Sequence, residues 1–270
     1  MKKYFNFNGK KIFYTDNGAG IPIVLIHGYL ETGEIWEDFG SKLANDFRVL
    51  TIDLPGHGDS EMLGTTHSME LMADVVNSLI KETALEKAFV VGHSMGGYVT
   101  LALLEKYSFS LSGYCLFHSH PFADTPEIIK KRKNEIEIVK AGNRFLLCNE
   151  NIRRLYAEKN LEKFSKAVEN SKRIASTISA GGIIAVLRGM MARPSRQHVM
   201  EQGIVPCLWI LGVFDNHISC EEMKTRVKLP PNAELFILEN SGHMGFIEEE
   251  EVSLRVLKSF INRNIINNQN

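Results

Sequence analysis

The 270-residue chain lacks any excess of charge: 31 Lys and Arg face 32 Asp and Glu, a formal net charge of −1. That removes the long-range basic field on which nucleic-acid binding and attachment to anionic membranes usually rest. No apolar run approaches the roughly 20 residues needed to span a bilayer. The longest, Ile23–Ile26 and Ile183–Leu187, are the size of a strand and a short helix. Nor does an apolar segment follow Lys2 and Lys3, as it would in a secretion signal, so a cytoplasmic protein is expected. Cysteine is sparse. Cys115, Cys148, Cys207 and Cys220 are far apart, with no C-x-x-C pair. An even count permits two disulfides, but a chain of this length does not need staples, and Cys115 and Cys207 read as buried thiols within apolar runs. There is no internal repeat, low-complexity tract or flexible linker. What remains, at 44% hydrophobic and 23% charged residues, is an ordinary globular composition.

Asn8-Gly9, between Tyr4–Phe7 and Ile12–Tyr14, marks a tight hairpin. Short apolar runs follow at Ile23–Ile26, Val49–Ile52, Phe89–Val91, Tyr114–Phe117, Leu208–Leu211 and Leu235–Leu238, each suited to a strand buried on both faces. Helical spacing connects several of them: residues 68–82, 95–107 and a final stretch through Phe260 and Ile261. The alternation predicts an α/β fold: an eight-stranded, mostly parallel sheet with helices on both faces. It breaks between Ser119 and Gly203, where only helical periodicity is visible. Helices are expected from Thr125-Pro126 to Gly142, and over 152–158, 161–178, 183–193 and 195–202. The expected division is therefore a core of residues 1–118 and 204–270 and an all-helical cap of 119–203, inserted after the sixth strand. The basic run Lys130–Lys133 is surrounded by Glu127, Glu135 and Glu137 and reads as a solvated helix face.

Three motifs carry chemistry. Gly92-His93-Ser94-Met95-Gly96-Gly97 stands between a buried strand and a helix, where a sharp turn can lift Ser94 Oγ out of the sheet edge. Ile26-His27-Gly28-Tyr29 ends an earlier strand, so the N–H of Tyr29, with that of Met95, could bind a developing oxyanion. Asp53-Leu54-Pro55-Gly56-His57-Gly58-Asp59-Ser60 is a turn-rich loop whose Asp53, His57 and Asp59 are read as structural, as is His27.

In order and spacing these motifs resemble the α/β-hydrolase superfamily, in particular its esterase-like branch with a helical cap, and the likeness covers essentially the whole chain. The resemblance implies a triad in the chain order Ser, acid, His. Asp215 after the seventh strand and His243 after the eighth match the two remaining positions, with Ser94 as nucleophile and His243 as base. Some relatives carry the acid after the sixth strand, but here that position reads His118-Ser119-His120, and Asp124 comes too late.

The function expected is hydrolysis of small ester- or thioester-type acyl substrates through an acyl-enzyme, without metal or organic cofactor. Carbon–carbon bond hydrolysis, lyase chemistry and cofactor-free perhydrolysis on the same triad are the alternatives, with a non-catalytic small-molecule receptor a further one. A small molecule is the expected partner; nothing indicates the oligomeric state. Glu31, Trp36, His118, His120, Met190 and Met191 are candidate substrate contacts. His118 and His120, at i and i+2 on an extended segment, would face one side and could in principle ligate a metal, but a pocket or hinge role is preferred.

Overall fold

The computed structural model describes residues 2–266; Met1 and residues 267–270 of the expected core range lie outside it. The eight strands are β1 (Lys2–Phe7), β2 (Lys10–Asn17), β3 (Pro22–Ile26), β4 (Arg48–Ile52), β5 (Ala88–His93), β6 (Leu111–Phe117), β7 (Cys207–Gly212) and β8 (Ala233–Leu238). They form one sheet in the order β1-β2-β4-β3-β5-β6-β7-β8. Only β2 opposes its neighbours, pairing antiparallel with β1 and β4, and every pair from β4 to β8 is parallel. The central strands are the continuous apolar runs: β5 and β7 are buried at every residue, whereas the edge strand β8 is half-exposed. All four cysteines are buried free thiols.

The helices outside the insertion are α1 (Glu37–Leu43), α2 (Met69–Glu82), α3 (Met95–Tyr107), α9 (Cys220–Arg226), α10 (Gly245–Glu248) and α11 (Glu250–Ile261). Between β6 and β7 lie α4 (Pro126–Lys140), α5 (Arg144–Leu155), α6 (Ser165–Thr177), α7 (Ala180–Ala192) and α8 (Gln197–Glu201). Local chemistry sets their starts. Thr125, Ser179 and Ser68 cap α4, α7 and α2 by accepting the N–H of Ile128, Gly182 and Leu71. On α2, Met72, Val75, Val76, Leu79 and Ile80 form the buried stripe that their spacing predicts.

The differences from expectation are at helix ends and in short helices. α5 starts eight residues before the predicted 152, α6 four after the predicted 161, and α1 and α9, seven residues each, carry too little periodicity to be seen. Among the described residues, no single helix is long and apolar enough to cross a membrane.

The insertion is fastened to the rest by backbone bonds. The His67 N–H donates to Ala185 O at 2.9 Å, and the His243 N–H to Leu155 O at 2.6 Å. Arg196 is clasped by Glu70 and Glu105.

Candidate active site

Ser94 joins strand β5 to helix α3 with φ 50° and ψ −114°, a conformation that non-glycine residues rarely adopt and that costs about 1–3 kcal/mol. Two bonds hold the strained turn: Ser94 N–H donates to Phe117 O at 2.9 Å, and Ser119 Oγ donates to Ser94 O at 2.7 Å. The flanking glycines are required by close approach. A Cβ on Gly96 would lie 2.4 Å from Ile26 O, and one on Gly92 2.4 Å from Gly96 O. As the first residue of α3, Met95 has an N–H with no acceptor inside the helix, and neither it nor the Tyr29 N–H has a protein acceptor among the described residues.

Asp215 and His243, far apart in sequence, meet beyond the ends of β7 and β8. Asp215 Oδ2 stands 2.7 Å from His243 Nδ1, and its Oδ1 accepts the N–H groups of His217 and Ile218 at 2.8 and 3.0 Å. Burial would push the Asp215 carboxyl up. The charge and hydrogen bond of His243, with the nearby His118 ring, outweigh it, and the group is held well below the usual carboxylate range. Asp215 is thus an anion that fixes a proton on His243 Nδ1 and leaves Nε2 free to accept one. Asp124 is elsewhere, buried between Arg132 (2.6 Å) and Arg193 (2.7 Å).

Ser94, His243, Tyr29 and Glu31 line one side of a cavity of about 350 Å³, and Arg132 and Met190 from the insertion line the other. His120 also faces it, bonded to Tyr98 at 3.1 Å and accepting the Phe122 N–H at 3.2 Å. Burial, then the Arg193 charge, lowers His120 to about 3, so it is neutral.

Glu31 lies at this wall as part of its construction. Its Oε2 accepts the Gly28 N–H at 2.6 Å and stands 2.9 Å from His93 Nδ1, while His93 Nε2 donates to His243 O at 2.9 Å. The carbonyl partner puts a proton on His93 Nε2. Burial lowers the His93 pKa, but the neighbouring Glu31 raises it overall. The pair supports the backbone of His243.

Several expected contacts are not brought to the cavity. Trp36 is fully buried and packs against Phe246 at 4.2 Å between ring centres, with Phe39 and Phe117 around it. Met191, next to Met190 on α7, does not line the cavity and is partly buried against the core. His118 does not line the cavity, and the two histidines do not share a side: β6 ends at Phe117, and the positive φ of His118 (46°) breaks the extended alternation. His118 turns to Asp215 while His120 turns to Tyr98. Nitrogen and oxygen atoms of His118, Asp215 and His243 lie within 4.8 Å of one another, a triple that i, i+2 spacing did not foretell.

The basic run is also not wholly a solvated face: Lys130 and Lys133 are exposed, Lys131 is exposed at the edge of the cavity, and Arg132 turns inward to Asp124 and the cavity. The structural readings of the turn residues agree with the geometry. His27 accepts the Leu54 N–H, His57 stands against Pro55 O, and Asp53 accepts the N–H groups of Gly33 and Asp59. The Asp124–Arg132–Arg193 group and the cation–π contact of Arg193 on Tyr98 (3.7 Å) had no sequence signal, because their members come from three separate segments.

Comparison with known proteins agrees with this architecture. A sequence model of the alpha/beta hydrolase fold matches residues 21–134. The pimeloyl-[acyl-carrier protein] methyl ester esterase of Vibrio atlanticus is 26% identical over 258 residues, 92% of this chain and 97% of the relative. The Arabidopsis thaliana protein PHYLLO is 29% identical over 125 residues, which is 43% of this chain but only 7% of that protein. Among solved structures, a thermophilic esterase from Thermogutta terrifontis, malate bound, superposes with a TM-score of 0.91 at 26% identity, covering 97% of this chain and 98% of its own. With an eight-stranded sheet, a serine at the strained β5–α3 turn and full-length likeness to esterases, the chain belongs to the α/β-hydrolase superfamily and is a hydrolase.

Proposed function

We propose that this hydrolase cleaves small ester- or thioester-type acyl substrates through a Ser94–His243–Asp215 triad and an acyl-enzyme. The observation that carries the reading is the shared cavity wall: strained Ser94 stands there with His243, whose Nδ1 is held 2.7 Å from buried Asp215. His243 Nε2 takes the Ser94 proton as Oγ attacks the carbonyl carbon. The developing oxyanion is received by the N–H groups of Tyr29 and Met95. His243 then returns the proton to the leaving alcohol or thiol, and a water activated by the same ring releases the acid. No cofactor enters this sequence of steps. The ester class is supported by the full-length relatives, which are esterases.

In this reading residues 1–118 and 204–270 form the catalytic core and 119–203 a cap that roofs the cavity and selects the acyl group. The cap brings no triad side chain, but its Leu155 carbonyl holds the His243 backbone. A fluorophosphonate should label Ser94, and Ser94→Ala should lose about 10³–10⁶ of the esterase rate while keeping its fold. Substantial esterase activity in Ser94→Ala would reject the nucleophilic mechanism.

A further inference from the structure

We propose that His118 is a positioning residue for the reaction: a neutral imidazole that points its Nδ1–H at Asp215 and thereby fixes the carboxylate that orients His243. The inference rests on the triad reading above and adds a fourth member behind it.

The tautomer follows from the partners. Gly245 N–H donates to His118 Nε2 at 3.2 Å, so Nε2 is the unprotonated nitrogen and the ring proton is on Nδ1. Nδ1 stands 3.3 Å from Asp215 Oδ2, the oxygen that also faces His243 Nδ1 at 2.7 Å. The 3.3 Å contact is longer and more oblique than a full hydrogen bond, and Nδ1 has no other partner. Its N–H dipole has nowhere to aim but the carboxylate. Burial, opposed by Asp215, lowers His118 to about 4, which keeps it a neutral donor at working pH.

The surroundings are built to hold this ring. His118 is completely buried, its N–H donates to Ile210 O at 2.8 Å, and its backbone has the positive φ already noted. A side chain at Gly245 would collide with it, since a Cβ there would lie 2.4 Å from His118 Nε2. Strain at a buried, bulky residue persists only where its surroundings over-determine it. The other titratable groups close to this ring are His243 and His93, with ring centres 5.7 and 6.3 Å away; beyond them His217 faces His243 and Glu31 faces His93. With Oδ1 taking two backbone N–H groups, His118 completes the set that prevents Asp215 from rotating away from His243.

Removing the donor has a measurable consequence. The positive end of the Nδ1–H dipole faces Asp215 and opposes the stabilisation that the carboxylate gives to positive charge beside it, so its loss should be visible in the pH profile. His118→Leu should therefore lower kcat roughly tenfold and move the acid limb of kcat/KM by about half a pH unit. KM should stay within about twofold, because His118 does not line the cavity. His118→Asn, whose amide nitrogen takes the place of Nδ1, should recover most of the rate and the original limb. In an Asp215→Asn background, His118→Leu should have no further effect on kcat.

The wild-type enzyme supplies a test independent of any variant: long-range 15N–1H correlation of the imidazoles should give His118 a protonated Nδ1 and an unprotonated Nε2 from pH 6 to 8. A protonated His118 Nε2 overturns the proposal, even if His118→Leu does not fold. So does a folded His118→Leu with wild-type kcat and pH profile, or a His118→Asn as impaired as His118→Leu. Fluorophosphonate labelling of the wild type separates the two levels: failure to label Ser94 removes the triad itself, whereas normal labelling with any of these results removes only the role of His118.

Discussion

The carboxyl edge of the sheet and the helical insertion form opposite walls of one cavity by different physical means. At the sheet edge, Ser94, Asp215 and His243 are fixed at 2.6–3.0 Å, largely by backbone groups: Ser94 by Phe117 O at the end of β6, Asp215 by the His217 and Ile218 N–H groups of its own loop, and His243 by Asp215 and by Leu155 O. In the insertion, the wall is held by charges: Asp124 between Arg132 and Arg193, Arg193 stacked on Tyr98, and Arg226 on Phe122 at 3.8 Å. Backbone bonds at strand ends tolerate little displacement, as chemistry at a single carbon requires. A wall of long side chains can be altered residue by residue without moving the sheet. The regions meet where Leu155 O receives the His243 N–H and where Glu248 binds Ala157 N–H and Gly242 N–H. On the proposed mechanism, the insertion there supports the chemistry without supplying a reacting group.

The comparison is broken most severely by exchanging the acids. Asp215→Asn should lower kcat by about 10⁴, because an amide stabilises the wrong His243 tautomer. Asp124→Asn should leave kcat on a small ester within about threefold. A reversed outcome would assign the acid to the loop after β6 and dissolve the division between the walls.

Next in size is the effect of Asp124 on stability. Removing its charge from between two guanidinium groups should cost about 3–5 kcal/mol in denaturant unfolding at neutral pH. Burial raises the Asp124 pKa, but Arg132 and Arg193 lower it more, so the folded value lies below the unfolded one. The stabilisation is therefore complete well above the unfolded pKa and fades as pH falls through the folded value. The gap between the thermal midpoints of wild type and Asp124→Asn should begin to narrow below about pH 4 and shrink further as the pH falls. A constant gap down to pH 3 would mean that the carboxylate charge does not hold this wall.

The smallest effect sharpens the insertion side. Met190 lines the cavity and Met191 does not, so Met190→Ala should change relative kcat/KM across acyl chain lengths by about 10- to 200-fold. Met191→Ala should change it by less than about twofold, and neither should alter labelling of Ser94 by a small phosphonate. Equal effects of the two would place the acyl pocket elsewhere.

How much of each wall was legible in the sequence follows from the same contrast. Ser94 and the glycines around it are confined to six consecutive residues, because a strand–turn–helix is local and its close approaches need glycine at fixed offsets. Asp215 and His243 could be sought only through the Ser, acid, His order that the family resemblance implies, each a few residues past the end of a strand. The insertion gave its helices but not its contacts. Arg132 looked like one more exposed cation of a basic run, and only the arrival of Asp124 beside it turns it inward. His118 was misread for a related reason: i, i+2 spacing puts side chains on one face only while the strand continues, and the chain leaves β6 at Phe117. Trp36 lies close in sequence to the Tyr29 loop, yet its large apolar surface is buried against Phe246 near the other end of the chain.

Acylation of Ser94 can be measured by mixing the wild-type enzyme with a small chromogenic ester, quenching in acid within the first turnovers and determining the mass of the intact and digested protein. One added acyl mass on the peptide containing Ser94, formed at least as fast as steady-state turnover and absent from Ser94→Ala, is the predicted result. Full turnover with no adduct under conditions where hydrolysis of such an adduct is slowed, together with a Ser94→Ala variant that keeps its rate, would contradict it.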